Sequence, residues 1–261
     1  MPESFYERID DNRYLSTDLT IGPWGPDSQH GGPPAALLGS AMETVAAHSE
    51  MHLARATFEI LKPIPVVPVE VRAEVVRSGK RVELLEASLT VERNTVMRAS
   101  GWRIRTTELD LQGVDPLGSP PSKPEDGEAV AFFETGTRFS YFDGLEWRFV
   151  TGSFFEPGRS QAWIRMRHPL VAGEAVSPVA RVLVAADSGS GMSSELDFRR
   201  WIFINPDLTV YLTRPPSGEW IHVDARMAVD VTGIGLATTS ISDEKGGIGR
   251  GLQSLLIDER P

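Results

Sequence analysis

The chain has 261 residues, 41% of them hydrophobic and 24% charged, the proportions of a globular protein long enough for one large domain or two small ones. With 36 acidic side chains against 26 basic ones the net charge is −10, which argues against wrapping nucleic acid or binding an anionic membrane. The lack of cysteine rules out disulfides, thiolate catalysis and cysteine-held zinc or iron–sulfur centres.

In chain order, the first stretch, MPESFYERIDDNRYL, is polar and acidic, unlike a targeting peptide. No apolar run nears the roughly 20 residues that span a bilayer. A cytoplasmic location, with neither membrane nor nucleic acid as partner, is the expectation. Next comes DSQHGGPPAALLGSAMETVAAH, which predicts a helix over about Pro33–Ala47. Its prolines suit a first helical turn, where a missing N–H costs little. It is apolar on nearly every face, and Glu43 is the charged residue within it. From Glu70 to Thr106 apolar and charged residues alternate, as at Val71, Ala73 and Val75, the pattern of half-buried antiparallel strands. SGK and RNT mark the turns. Asp110–Glu128, rich in Pro, Gly and acids, reads as a linker. The second half repeats the scheme: a helix near Pro178–Ala186, then strands in LTVYLTR, EWIHVDARMAV, IGLATTSIS and GRGLQSLLI.

The repetition has a register. Lys62-Pro63 matches Arg214-Pro215 at an offset of 215 − 63 = 152, and the same offset sets Arg81–Leu84 against Gly233–Leu236 and Arg98 against Arg250. One offset over three segments indicates a duplicated module. The helices align through Pro34 and Pro178 at 178 − 34 = 144, so the connection after the helix is longer in the second copy. A helix this apolar must be covered on nearly every face, and a curved antiparallel sheet wrapped around it does so. That is an α+β architecture, the hot dog, and two copies make a double hot dog: residues 1–108 the N-terminal module, 109–130 the linker, and 131–261 the C-terminal module. Edge-to-edge joining of the sheets hides edge strands, and the remaining edges leave room for a homodimer.

The stretches HGGPPAALL, FEILKPIPVVPVEVRAEVVRSGKRVELLEASL, AADSGSG, FINPDLTVYLTRPPSGEWIHVDAR and GRGLQSLL, in this order, resemble the acyl-CoA thioesterase II-like (TesB-like) double-hot-dog thioesterases. The resemblance covers most of Gly22–Ile257 apart from the linker. It implies hydrolysis of a fatty acyl-CoA to free acid and coenzyme A, with no metal or cofactor. It also implies a water held by an Asp late in the second helix, a Ser or Thr at the start of the next strand and a Gln in the last strand. The matching positions are Asp187, Asn205 and Gln253. Asn205 departs from the family's hydroxyl, and an amide is bulkier and two-ended in polarity.

The residues themselves fit that chemistry. Asp187 can take a proton from water or orient it, and Asn205 and Gln253 can hold the water in line with the carbonyl. His30, Gly31 and Gly32, ahead of the first helix, are candidate substrate-binding residues, because helix-terminal N–H groups can bind an oxyanion or a phosphate. A tight turn explains the two glycines equally well, and His30 reads more as a structural hydrogen-bonder than as a base. The five histidines (30, 48, 52, 168, 222) lack metal-ligand spacing. The repeat sets Glu43 opposite Asp187, Leu53 opposite Asn205 and Gly101 opposite Gln253, which predicts one active centre, in the second module. Glu43 is the fallback acid, or else a buried acid paired with an arginine such as Arg55. Trp147, Phe154, Phe155 and Trp163 are core residues or walls of the acyl tunnel. Two other readings compete. A hot-dog hydratase or dehydratase needs an acid–His pair, and His222 is the one histidine near the strands concerned. A non-catalytic acyl-CoA-binding protein is the other.

Overall fold

The computed structural model describes residues 2–47, 49–112, 117–118, 122–130 and 139–260. A hairpin of β1 (Tyr6–Arg8) and β2 (Arg13–Ser16) precedes helix α1 (Gly32–Thr44). Four long strands follow: β3 (Met51–Ile60), β4 (Pro68–Arg77), β5 (Val82–Val91) and β6 (Asn94–Arg105). The second half opens with the short β7 (Glu128–Ala129) and the hairpin β8 (Leu145–Ser153) and β9 (Glu156–Met166). Then come α2 (Pro178–Ala186), the single turn α3 (Gly189–Met192) and β10 (Trp201–Ile204). The last four strands are β11 (Asp207–Leu212), β12 (Ile221–Val229), β13 (Ile234–Asp243) and β14 (Gly246–Glu259).

Among the described residues these strands form one sheet in the order β1-β2-β4-β5-β6-β3-β11-β14-β13-β12-β9-β8-β7, with β10 on β14. Read outward from the β3–β11 seam, the six strands of the first half match β11, β14, β13, β12, β9 and β8 in order, while β7 and β10 have no counterpart among the described residues. The sequence offset of 152 holds in the pairing itself. Leu85 faces Gly101 and Ala237 faces Gln253; Val71 faces Leu89 and Val223 faces Ile241. At the seam Thr57 lies opposite Thr209, 152 positions apart, their hydroxyls 3.2 Å apart. A pseudo-twofold axis therefore passes between residues that the repeat makes equivalent. The helices obey it too: a Cβ on Gly39 would run into Leu183, its counterpart at the helix offset of 144.

α1 packs on β3, β4, β5 and β6 and against α2, while α2 packs on β9, β12 and β13. Every α1 residue from Gly32 to Leu38 is buried, as are Gly39 and Met42. Each fully buried Leu or Met contributes roughly 1.5–3 kcal/mol, which explains a helix with little amphipathic character. α1 ends at Thr44 rather than Ala47. Val45 turns to extended backbone, and the Arg103 guanidinium donates to the carbonyls of Val45 (2.7 Å) and Ala46 (2.8 Å). His48, within the expected stretch, lies outside the described residues. The β5–β6 turn places Glu92 (φ 47°) and Arg93 (φ 69°) in the left-handed region, as tight hairpins require. Part of the predicted linker lies along the second sheet: β7 pairs with β8, and Trp163 Nε1 donates to Ser122 Oγ at 3.0 Å.

Candidate active site

Asp187 caps the C-terminal end of α2 and is 5% exposed. Across the helix pair it meets the N-terminal end of α1, where Oδ2 is 3.0 Å from His30 Nδ1. A Cβ on Gly31 would come within 2.7 Å of the same oxygen, so only glycine permits this approach. Oδ1 accepts from Asn205 Nδ2 at 2.9 Å and from Gln253 Nε2 at 3.2 Å. A carboxylate this buried would be costly if unpaired, and these donors hold its charge and fix its orientation.

Each partner is placed by a local cause. On β14, Gly251, Gln253 and Leu255 point inward while Leu252, Ser254 and Leu256 point out, so strand alternation buries Gln253 at 1% exposure. Its amide is taken up on both ends: Nε2 also donates to Asp187 O (3.1 Å), and Oε1 accepts the Ser190 N–H (3.1 Å). Gly189 must be glycine here, because a Cβ would lie 2.6 Å from Thr239 Oγ1 and 3.2 Å from Gln253 Oε1. Asn205 precedes Pro206, which separates β10 from β11, and its Nδ2 also donates to Asp207 O at 3.2 Å. Both Asn205 N–H groups thus have partners, which leaves its carbonyl oxygen as its remaining polar group.

His30 Nδ1 also lies 3.1 Å from the Gly32 N–H. One ring nitrogen cannot donate to Asp187 and accept from Gly32 at once. With a proton on Nδ1 it serves Asp187; without one it accepts from Gly32. The ring stacks on Tyr141, centroids 3.8 Å apart and planes 5° from parallel. Tyr141 donates its hydroxyl to Val184 O (2.6 Å), so Ser188 Oγ, 2.7 Å away, is the donor in their shared bond. Burial pushes the Tyr141 phenol well above its ordinary pKa, against the Ser188 hydrogen bond and with the help of Asp187, so it stays neutral.

His30, Gly31, Asp187, Ser188 and Asn205 line a cavity of about 780 Å³. Its further walls include Trp24, Phe142, Phe154, Phe155, Phe198 and Phe203, with Arg199 and Arg260 also lining it. The Arg260 guanidinium lies 4.5 Å over the Phe198 ring.

The structure brings four of the other five predicted site residues, His30, Gly31, Asn205 and Gln253, around Asp187. Gly32, the remaining one, is buried in the first turn of α1 with its N–H 3.1 Å from His30 Nδ1. Glu43 is elsewhere, hydrogen-bonded to Ser177 rather than paired with Arg55, whose Nη2 donates to Ser100 Oγ. Trp147 and Trp163 are core residues, at 3% and 0% exposure, while Phe154 and Phe155 line the cavity. Sequence reasoning missed Tyr141 and Ser188. It also found no histidine for Asp187, and His222, 1% exposed on β12, packs on Trp163. His30 fills that place. The signal was in the repeat: two equivalent helices crossing at a twofold axis set the end of one beside the start of the other.

Residues 119–257 match the acyl-CoA thioesterase C-terminal domain and residues 20–104 the acyl-CoA thioesterase N-terminal domain. The chain therefore belongs to the acyl-CoA thioesterase family, and it is a thioester hydrolase. Three solved structures show the same fold. A candidate thioesterase II from Thermobifida fusca is 16% identical with a TM-score of 0.75, over 98% of this chain and 96% of that one. A conserved protein from Alicyclobacillus acidocaldarius, described as having a hot dog fold, is 14% identical with a TM-score of 0.76, over 99% and 97%. A candidate thioesterase from Novosphingobium aromaticivorans is 22% identical with a TM-score of 0.72, over 97% and 98%. No protein of curated function matches the sequence significantly. The fold is thus the double hot dog expected from the repeat. Among the described residues no helix is long and apolar enough to cross a membrane.

Proposed function

We propose that the protein hydrolyses a fatty acyl-CoA at Asp187, on the wall of the aromatic-lined cavity. The observation that supports this reading best is the buried Asp187 carboxylate, held by two amides and facing an imidazole at the N-terminal end of α1. Water donates one hydrogen to Asp187 and the other to the free carbonyl oxygen of Asn205, which leaves a lone pair for the thioester carbon. As the C–O bond forms, Asp187 takes the proton, and His30, facing Oδ2, can carry it onward. The carbonyl oxygen becomes an oxyanion. The first α1 hydrogen bond runs from Ala35 N to Gly31 O (3.0 Å), so the helix does not use the Gly31 N–H, and Gly31 lines the cavity. That N–H and the positive end of the helix dipole are the oxyanion's donors. Collapse breaks the C–S bond, and the thiolate leaves and recovers the proton. Gln253 acts behind the cavity wall, as a positioning residue for Asp187.

The His30–Asp187 contact also supplies the acid–His pair that a hydratase would use. Incubation with saturated and 2-enoyl-CoAs, following free thiol and enoyl absorbance together, separates the two. Thiol release lost in Asp187→Ala is the expected result; hydration without thiol release would overturn it.

A further inference from the structure

The repeat that builds the first cavity builds a second. A cavity of about 730 Å³ lies where the pseudo-twofold axis carries the active site. Its walls correspond element by element. The active site is bounded by the β8–β9 hairpin, the segment before α1, and the acid that ends α2. The second cavity is bounded by the β1–β2 hairpin (Arg8, Asn12), the segment before α2 (Leu170, Val176, Ser177), and the acid near the end of α1, Glu43. The acid meets the opposite helix start in both: Asp187 at His30 and Gly31, Glu43 at Ser177, the N-cap of α2.

The apparatus around the acid differs. Leu53 stands at the Asn205 position and Gly101 at the Gln253 position. Leu53 and Met42 crowd over Gly101, each 2.8 Å from where a Cβ would be, so no side chain fits there. Nothing in that place can orient a water on Glu43. The remaining surface is a ligand wall, with Leu37, Ala41, Val71 and Ala73 as an aliphatic floor and Glu43 with Ser177 as the polar end. At the mouth the Arg8 guanidinium is held by Glu174 at 2.6 Å and lies 4.8 Å over Tyr14, with Asp11 beside it. This acidic surround disfavours the several phosphates of coenzyme A far more than the single charge of one carboxyl group.

We propose that the second cavity binds an acyl chain with a terminal carbonyl, foremost the released carboxylic acid, without hydrolysing it. The proposal rests on the acyl-CoA reading of the first cavity only for the identity of the acid. Glu43 is open to the cavity yet set in a concavity, and burial pushes its carboxyl above the usual range against the Ser177 hydrogen bond. A carboxyl that keeps its proton more readily can share it with a bound carboxylate.

A photoactivatable diazirine analogue of decanoic acid tests this on the unaltered chain. Crosslinks are mapped by peptide mass spectrometry, with decanoate and S-decyl-coenzyme A, a thioether that cannot be hydrolysed, as competitors. Labelling of residues 37–45 or 170–177 that decanoate displaces is expected. Displacement by the thioether alone would overturn the proposal, because coenzyme A rather than the carboxyl group would then be what the cavity recognises. Labelling confined to the walls of the first cavity, or insensitive to both competitors, would overturn the proposal. In Ala41→Phe and Ala73→Phe, which fill the second cavity, calorimetric decanoate stoichiometry should fall by one per chain. Thiol release from decanoyl-CoA should stay within about twofold. Absence of thiol release from the unaltered protein would instead overturn the reading of the first cavity, and the crosslinking result would stand apart from it.

Discussion

At the end of α2, Asp187 receives two side-chain amides and faces an imidazole; at the end of α1, Glu43 has the Ser177 hydroxyl and an open cavity. The two acids occupy equivalent places in one duplicated plan, so the difference lies in what each copy built around its acid. In the first copy Arg103 and Glu83 form a buried ion pair at 2.6 Å, and Arg103 closes the chain directly after α1, leaving residues 45–50 to reach β3. In the second copy the corresponding positions are Leu255 and Gly235, and residues 187–206 make the same connection with α3 and β10 inserted. That longer segment carries Asn205 and, in Phe198 and Phe203, part of the cavity wall. Leu255 joins Phe203, Met227, Ala237 and Ile257 in a small cluster of its own. The comparison teaches that an acid in the right place is not a catalyst until its neighbours fix its orientation. In this chain the second copy carries an amide, Asn205, where the first carries Leu53.

The contrast can be broken most directly by removing each acid's charge. Asp187→Asn should lower kcat for acyl-CoA thiol release by roughly 10²–10⁴-fold, the range of general acid–base contributions. Glu43→Gln should leave it within about twofold, and a comparable loss in both variants would erase the distinction. Next is the ion pair of the first copy. Arg103→Leu strands the Glu83 carboxylate and should destabilise the fold by about 3–5 kcal/mol, lowering Tm by about 10 °C. The same leucine stands at the equivalent place in the second copy without harm, so a tolerated Arg103→Leu would mean that the two cores are interchangeable there.

The second copy should also be the more acid-sensitive at one position. Burial pushes the His222 imidazole down to about 4; Asp224 pulls it back up and Arg159 lowers it further. The folded pKa lies below the unfolded one, so the unfolded chain binds the proton first. Stability is complete above about pH 6.5 and is lost as pH falls toward 4. Between pH 7 and pH 4.5 this one group should cost about 2–3 kcal/mol. Urea unfolding of His222→Gln should lack that increment. The smallest effect concerns the amide that only the second copy has. Asn205→Ala removes one hydrogen bond to a buried carboxylate, worth roughly 1.5–3 kcal/mol, and should slow thiol release about 10- to 100-fold while lowering Tm by about 5 °C.

Much of this plan was legible in the chain. The offset of 152 reappears as the strand register, the apolar run from Gly32 became a buried helix, and Asp187, Asn205 and Gln253 met although they lie on three different elements. Those readings succeed because strand periodicity, helix apolarity and an internal repeat are local patterns that folding preserves. What the residues did not disclose is mostly non-local. Nothing around Asp187 in the sequence points to His30 or to Tyr141, which stacks behind it. Gln253 read as a holder of water, but its amide is taken up by Asp187 and the Ser190 backbone, an outcome of packing alone.

The sequence by itself determined that there are two modules, the helix of each with the strands that follow it, and which copy carries the amides, because composition and period are properties of single segments. The hairpins β1–β2 and β8–β9 ahead of the helices were not read from it. Only the tertiary structure decided that two crossing helices set each acid at the start of the other. It alone decided that one such meeting is buried among donors while the other stays open beside a cavity. That outcome depends on distances between residues far apart in the chain, which are fixed when the two sheets join along β3 and β11.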